Sequence, residues 1–154
     1  MNAKIILVRN KVTLNPYTWL FYMIRLFTKS EYNHSAVLIE HDNDNAEVFE
    51  SKFGGVTSTN YEEWKLIDRN KIKIIQPILH RFPEIYVKRC KGYLKEKYQF
   101  SVYINYIFYL LKIKYRFGEK GMYCHEFCAM VFKENYQKEN IIYTAETLYK
   151  NEFN

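Results

Sequence analysis

Cys124 opens the stretch in which residue type and spacing together suggest reactivity. Across residues 121–133 the apolar positions Cys124, Phe127, Cys128 and Val131 recur at i, i+3, i+4 and i+7, one face of an α-helix, and Gly121 breaks the chain just before it. A cysteine at a helix start lies among free backbone N–H groups and the positive end of the helix dipole. Both favour thiolate over thiol. The same cysteine could instead be a small, inert piece of core. A nucleophilic role requires a base, and a partner that orients the base.

Four histidines are available, and geometry separates them. His125 follows Cys124 directly, and successive helical residues point about 100° apart, so its ring is poorly placed for that thiol. His41 falls in a turn-like run, residues 41–45, and His80 in a strand-to-helix loop, both solvated positions. His34 opens residues 35–39, a β-branched and aliphatic run that reads as a strand, and is the candidate base. The competing role for His34 is a strand-end ring bonded to a neighbouring carbonyl.

A hairpin supplies the orienting carboxylate. With the turn centred on Asn43, residues whose numbers sum to 86 face each other, which sets His34 opposite Lys52 and Ala36 opposite Glu50. Glu50 is then a same-face diagonal neighbour of His34, roughly 7 Å away between backbones. Glu47 points to the other face. Glu40 shares the face of His34 but lies about 20 Å along the strand. A one-residue slip would move Glu50 to the wrong face.

The elements that must hold these groups are legible around them. Residues 4–8 read as a buried strand; Asn15 and Pro16 start a helix that runs to about Thr28; residues 35–39 and Val48-Phe49 form the hairpin, closed by Gly54-Gly55. An extended piece at 56–58 leads to an acidic and aromatic helical turn at 61–64. A third long strand is expected over 71–79, helices over 83–97 and 101–112, a basic loop over 114–120, the anchor helix to about Asn135, and a last short helix over 143–149. With 154 residues and no repeat or linker, one α+β domain spanning residues 1–154 is expected, a small antiparallel sheet packed against helices.

Composition limits the function classes. Hydrophobic residues make up 48%, with five glycines and three prolines, which argues for a packed fold over disorder. The net charge of +6 favours anionic partners, but the lysines are scattered, a weak basis for nucleic-acid binding. Three cysteines without a framework of pairs fit a reducing, cytoplasmic setting, and no signal-peptide pattern or spanning stretch is expected.

The motifs, taken together, resemble a known family. His34-Ser35-Ala36-Val37-Leu38-Ile39-Glu40, then Val48-Phe49-Glu50-Ser51 with Gly54-Gly55-Val56, then Met122-Tyr123-Cys124-His125-Glu126-Phe127, and finally Thr144-Ala145-Glu146-Thr147-Leu148-Tyr149 are similar to successive motifs of the circularly permuted NlpC-type papain-like thiol hydrolases. The nearest branches are the YiiX-like proteins and their poxvirus relatives, with lecithin retinol acyltransferases more distant. The order of motifs, histidine strand before cysteine helix, is the permuted one. The resemblance implies a permuted papain-like fold with Cys124 as nucleophile at a helix N-terminus, His34 as base and Glu50 as the residue that orients it, and no cofactor or metal. Glu126 stands where the family often has a carboxylate, with no role to assign. His125 and Ala145 depart from the residues frequent there.

The expected activity is a cysteine-dependent hydrolase or acyltransferase that acts on an amide or ester through an acyl-enzyme. The Cys124 backbone N–H would be one oxyanion donor, with no second identifiable. Aromatic-rich stretches at 17–27 and 102–111, with the positive charge, suit a lipid or N-acyl substrate at a membrane surface; ordinary core is the other reading of those stretches. A cell-wall peptide is the next substrate class. Two readings of other kinds remain: zinc held by Cys124, Cys128 and His34, and a non-catalytic basic binding module using Lys112, Lys114 and Arg116. Oligomeric state is left open.

Overall fold

The computed structural model describes residues 1–42, 45–76, 82–99, 101, 104, 105, 108, 111–113 and 121–132. Most of the helix expected over 101–112, the basic loop at 114–120, the end of the third strand with His80, and the final helix at 143–149 lie outside the described residues, as do Asn43 and Asp44.

The chain is α+β, built on a five-stranded antiparallel sheet of order β4-β3-β2-β1-β5. Its strands are β1 (Asn2–Arg9), β2 (His34–Glu40), β3 (Ala46–Lys52), β4 (Gly55–Asn60) and β5 (Lys71–Ile75); its helices are α1 (Pro16–Thr28), α2 (Tyr61–Lys65), α3 (Pro83–Gly92) and α4 (Cys124–Phe132). The hairpin register is the expected one: Val37 faces Phe49, Leu38 faces Val48 and Ile39 faces Glu47, each pair summing to 86. Outside the ladder, the His41 N–H donates to the Asn45 carbonyl at 2.8 Å, continuing the same register into the turn.

Strand alternation sorts the side chains into two layers. Ile5, Leu7, Val37, Ile39 and Phe49 face α3 and α4, where Tyr86, Cys90, Phe127, Cys128 and Val131 complete the main core. Ile6, Val8, Ala36, Leu38 and Val48 face the opposite way and are closed over by Trp64 of α2. The indole is fully buried, which contributes about 2–3 kcal/mol of transfer free energy. Asn60 caps α2, its side-chain oxygen accepting from the Glu62 N–H at 2.8 Å.

Helix α3 is shorter than its apolar spacing suggested. It stops at Gly92, and Lys95 takes a left-handed φ of 71°. The chain then turns back so that Val56 N–H donates to the Glu96 carbonyl and Lys95 N–H to the Val56 carbonyl, extending hydrogen bonding beyond the start of β4. Gly55 makes that approach possible. Its φ is 117°, and a Cβ there would lie 2.5 Å from the Glu96 oxygen.

Candidate active site

The ends of two elements meet at the site. His34 is the first residue of β2 and Cys124 the first of α4. The segment ahead of α4 is held from two sides. Met122 N–H donates to the Lys97 carbonyl (2.9 Å), Gln99 N–H donates to the Met122 carbonyl (3.2 Å), and Ser51 Oγ donates to that same carbonyl (2.8 Å). Gly121 permits this with a φ of 104°, since a Cβ there would lie 2.4 Å from the Lys97 oxygen.

The alternation that divides the core also divides labour at the site. His34 and Glu50 lie on the Trp64 face, whereas Ser35 and Ser51, one residue further along each strand, lie on the α4 face. The first pair is the titrating pair, and the second anchors the helix. Ser35 Oγ shares a 2.9 Å hydrogen bond with His125 Nδ1 and accepts from the Cys128 thiol at 3.3 Å. His125 is thus buried against β2 and bonded to Ser35, and, as its position directly after Cys124 suggested, it is not directed at that thiol. Burial, and then the charge of His34, push its pKa down to about 3, so the ring is neutral.

His34 Nε2–H donates to Glu50 Oε2 at 2.9 Å. Cys124 is the other group that acts on the imidazole and favours its charged form, and with Nε2 engaged by Glu50, Nδ1 is the nitrogen left for the sulfur. Glu50 is buried and receives two further donors: Lys52 Nζ at 2.8 Å and Trp64 Nε1–H at 3.3 Å. Arg69 stacks its guanidinium on the Trp64 indole at 3.7 Å and donates to the Trp64 carbonyl at 2.6 Å, which fixes that donor from behind.

The electrostatics follow from these contacts. Desolvation is the largest effect on His34 and opposes its charged form. The charge of Cys124 and the hydrogen bonds to Cys124 and Glu50 outweigh it and raise the pKa to about 10. Burial likewise opposes the Cys124 thiolate. The His34 charge and hydrogen bond, with the backbone N–H groups of Ser35 and His125, bring its pKa down all the same. Glu50 is also penalised by burial, yet its bonds to His34 and Lys52 hold it well below the usual carboxylate range. At neutral pH these shifts favour a thiolate–imidazolium pair braced by a carboxylate. By contrast, burial raises the pKa of Cys90 and Cys128, which remain thiols.

Of the three residues expected from sequence to act together, Glu50 and His34 share a hydrogen bond, and His34 and Cys124 lie close enough for each to shift the other's titration. Cys124 itself is almost wholly buried, while the His34 side chain keeps 12% of its surface exposed. As the first residue of α4, Cys124 has a backbone N–H with no acceptor inside the helix. Glu126 is buried in the same first turn. Sequence reasoning missed Trp64, Lys52 and Ser35. The hairpin register had already placed Lys52 opposite His34, and Ser35 directly follows His34, so both had a readable signal; Trp64 reaches Glu50 only because α2 folds back over the sheet.

The set proposed for zinc does not converge: the Cys128 thiol is directed at Ser35, and among the described residues no three His, Cys, Asp or Glu side chains are grouped to hold a metal ion. No helix among the described residues is long and apolar enough to cross a membrane. No protein-family model matches the sequence, and no curated protein matches it significantly.

Proposed function

We propose that the chain is a cysteine-dependent acyl hydrolase or acyltransferase with a permuted papain-like fold of the NlpC type. The observation that carries this reading is the 2.9 Å His34–Glu50 hydrogen bond together with the mutual electrostatic pull of His34 and Cys124 at the start of α4. The thiolate attacks the carbonyl carbon of an ester or amide, forming a C–S bond. The oxyanion develops near the free Cys124 N–H. The imidazolium then gives its proton to the departing alkoxide or amine, leaving a thioester on Cys124 and a neutral His34. Water or an acceptor alcohol or amine, deprotonated by His34, attacks the thioester and releases the acyl group. Glu50 stabilises the ring each time it is charged.

The test uses activated acyl esters of several chain lengths. Mass spectrometry should find an acyl adduct on Cys124, and turnover should vanish in Cys124→Ala and fall at least tenfold in His34→Ala. Turnover that persists in Cys124→Ala would refute the proposal. Of the substrate classes, a lipid or N-acyl compound is favoured over a cell-wall peptide by exposed apolar side chains such as Trp19 and Leu26 of α1, in the connection that leads into His34.

A further inference from the structure

In an antiparallel sheet, the start of β2, the ends of β1 and β3, and the turn from β3 to β4 all lie at one end. That end carries His34, the connection from β1 to β2 that contains α1, and the turn at Phe53. The connection is fastened beside the base, because Asn33 is buried, its Nδ2–H donates to the Phe21 carbonyl at 3.3 Å and its Oδ1 accepts from the Asn10 N–H at 3.0 Å.

The outward face of α1 has the wrong polarity for a helix in water. Ile24 is buried, and the opposite side presents Trp19, Tyr22 and Leu26, spaced i, i+3 and i+7, in one stripe. Trp19 is 58% exposed, Leu14 just ahead of the helix 99%, and Phe53, on the β3–β4 turn at the same end of the sheet, 90%. Large apolar side chains exposed together at one end of a sheet mark an interaction surface. Its charge setting indicates the partner. Residues 9–33 hold four cations against one carboxylate, Glu31; Arg9 (3.7 Å) and Lys71 (2.7 Å) pair with Glu31 and Lys11 pairs with Asp68, which leaves Arg25 and Lys29, both in or just after α1, without an ion pair among the described residues. An aromatic and aliphatic stripe within a cationic segment complements an anionic lipid surface, where rings sit at headgroup level and cations meet phosphate.

We infer that this end of the sheet docks on anionic bilayers through Leu14, Trp19, Tyr22, Leu26 and Phe53. The surface stands independently of the proposed chemistry. Combined with it, docking brings His34 and Cys124 to a bilayer-borne ester or amide and so deepens that reading toward lipid substrates.

The experiment uses the full chain with vesicles of equal parts phosphatidylglycerol and phosphatidylcholine, and with vesicles of phosphatidylcholine alone. Trp64 is buried, so a vesicle-induced blue shift in tryptophan emission reports Trp19. The expected result is cosedimentation with the anionic vesicles, weakened by high salt, and a blue shift. Binding should fall about tenfold or more in a Trp19→Ser/Leu26→Ser variant, followed by sedimentation alone. The pH dependence of Cys124 alkylation should be unchanged in that variant, which also reports that it is folded; Phe53→Ser, on an exposed turn, should weaken binding separately. Failure to bind anionic vesicles, binding unaffected by these substitutions, or a dimer in solution that the substitutions dissociate would overturn the inference. Cys124→Ala should bind vesicles normally, so loss of catalysis and loss of docking are read apart.

Discussion

Replacing Glu50 with Gln tests the division of roles within the site. The substitution keeps the shape and an oxygen that can accept from His34 Nε2–H, but removes the buried charge 2.9 Å from the ring. A hydrogen bond to a charged group contributes about 1.5–3 kcal/mol and a neutral one about 1 kcal/mol. The imidazolium therefore loses on the order of 1–2 kcal/mol, or roughly one pKa unit at about 1.4 kcal/mol per unit. The loss falls on one step of the titration. Between the thiol–imidazolium and thiolate–imidazolium forms the ring stays charged, so Glu50 contributes nearly equally to both, and the acid midpoint of Cys124 should scarcely move. Between thiolate–imidazolium and thiolate–imidazole the ring loses its charge, so the alkaline midpoint should fall from about 10 toward 9. The His34 folded pKa is raised, so its stabilising effect is complete below its ordinary value near 6.5 and is lost as pH rises through about 10. The stability gap between wild type and variant should accordingly narrow on the alkaline side. Ultraviolet absorbance of the thiolate, with Cys124→Ala subtracted, reads the acid step, and nitrogen NMR of the His34 ring reads the alkaline one. An unmoved alkaline midpoint, or an acid midpoint that shifts as far as the alkaline one, would refute the assignment of Glu50 as the imidazolium's partner.

Three further outcomes are expected. Gly121→Ala forces a side chain into a φ of 104° and against the Lys97 carbonyl; chemical denaturation should show a loss of about 2 kcal/mol or more, with slower Cys124 alkylation because the helix start is displaced. Trp64→Phe deletes a donor to Glu50 and leaves a void beneath Arg69, at a cost of about 1–3 kcal/mol in urea unfolding. Because the Glu50 folded pKa is depressed, its stabilising effect is present above its ordinary value near 4.5 and is lost as pH falls below it; Glu50→Gln should flatten that part of the acid unfolding curve.

What the sequence made legible was mostly local. Turn chemistry centred on Asn43 set the hairpin register, and the register placed Glu50 beside His34 without any tertiary information. The apolar spacing after Gly121 placed Cys124 at a helix start. Features that depend on how elements pack were not legible. Helix α2 has five residues, too short for periodicity to indicate which face of the sheet it covers, so Trp64 could not be matched to Glu50. His125 looked like a poorly placed base, whereas docking α4 on β2 makes it a neutral buried anchor for Ser35. The end of α3 was overestimated because apolar spacing continues past Gly92 while the backbone turns to meet Val56.

The clasp between Ser51 and Met122 spans 71 residues of sequence. His34 and Glu50 belong to a hairpin that needs only short-range contacts, so the imidazole–carboxylate pair can form while the ribosome is still making the rest of the chain. The sulfur belongs to a segment made much later in the chain, which the Ser51 hydrogen bond ties to β3. Nascent or clipped chains would thus carry the hairpin's base and carboxylate without the thiolate they serve, and reactivity would arrive as a late sign that the chain has been made and closed.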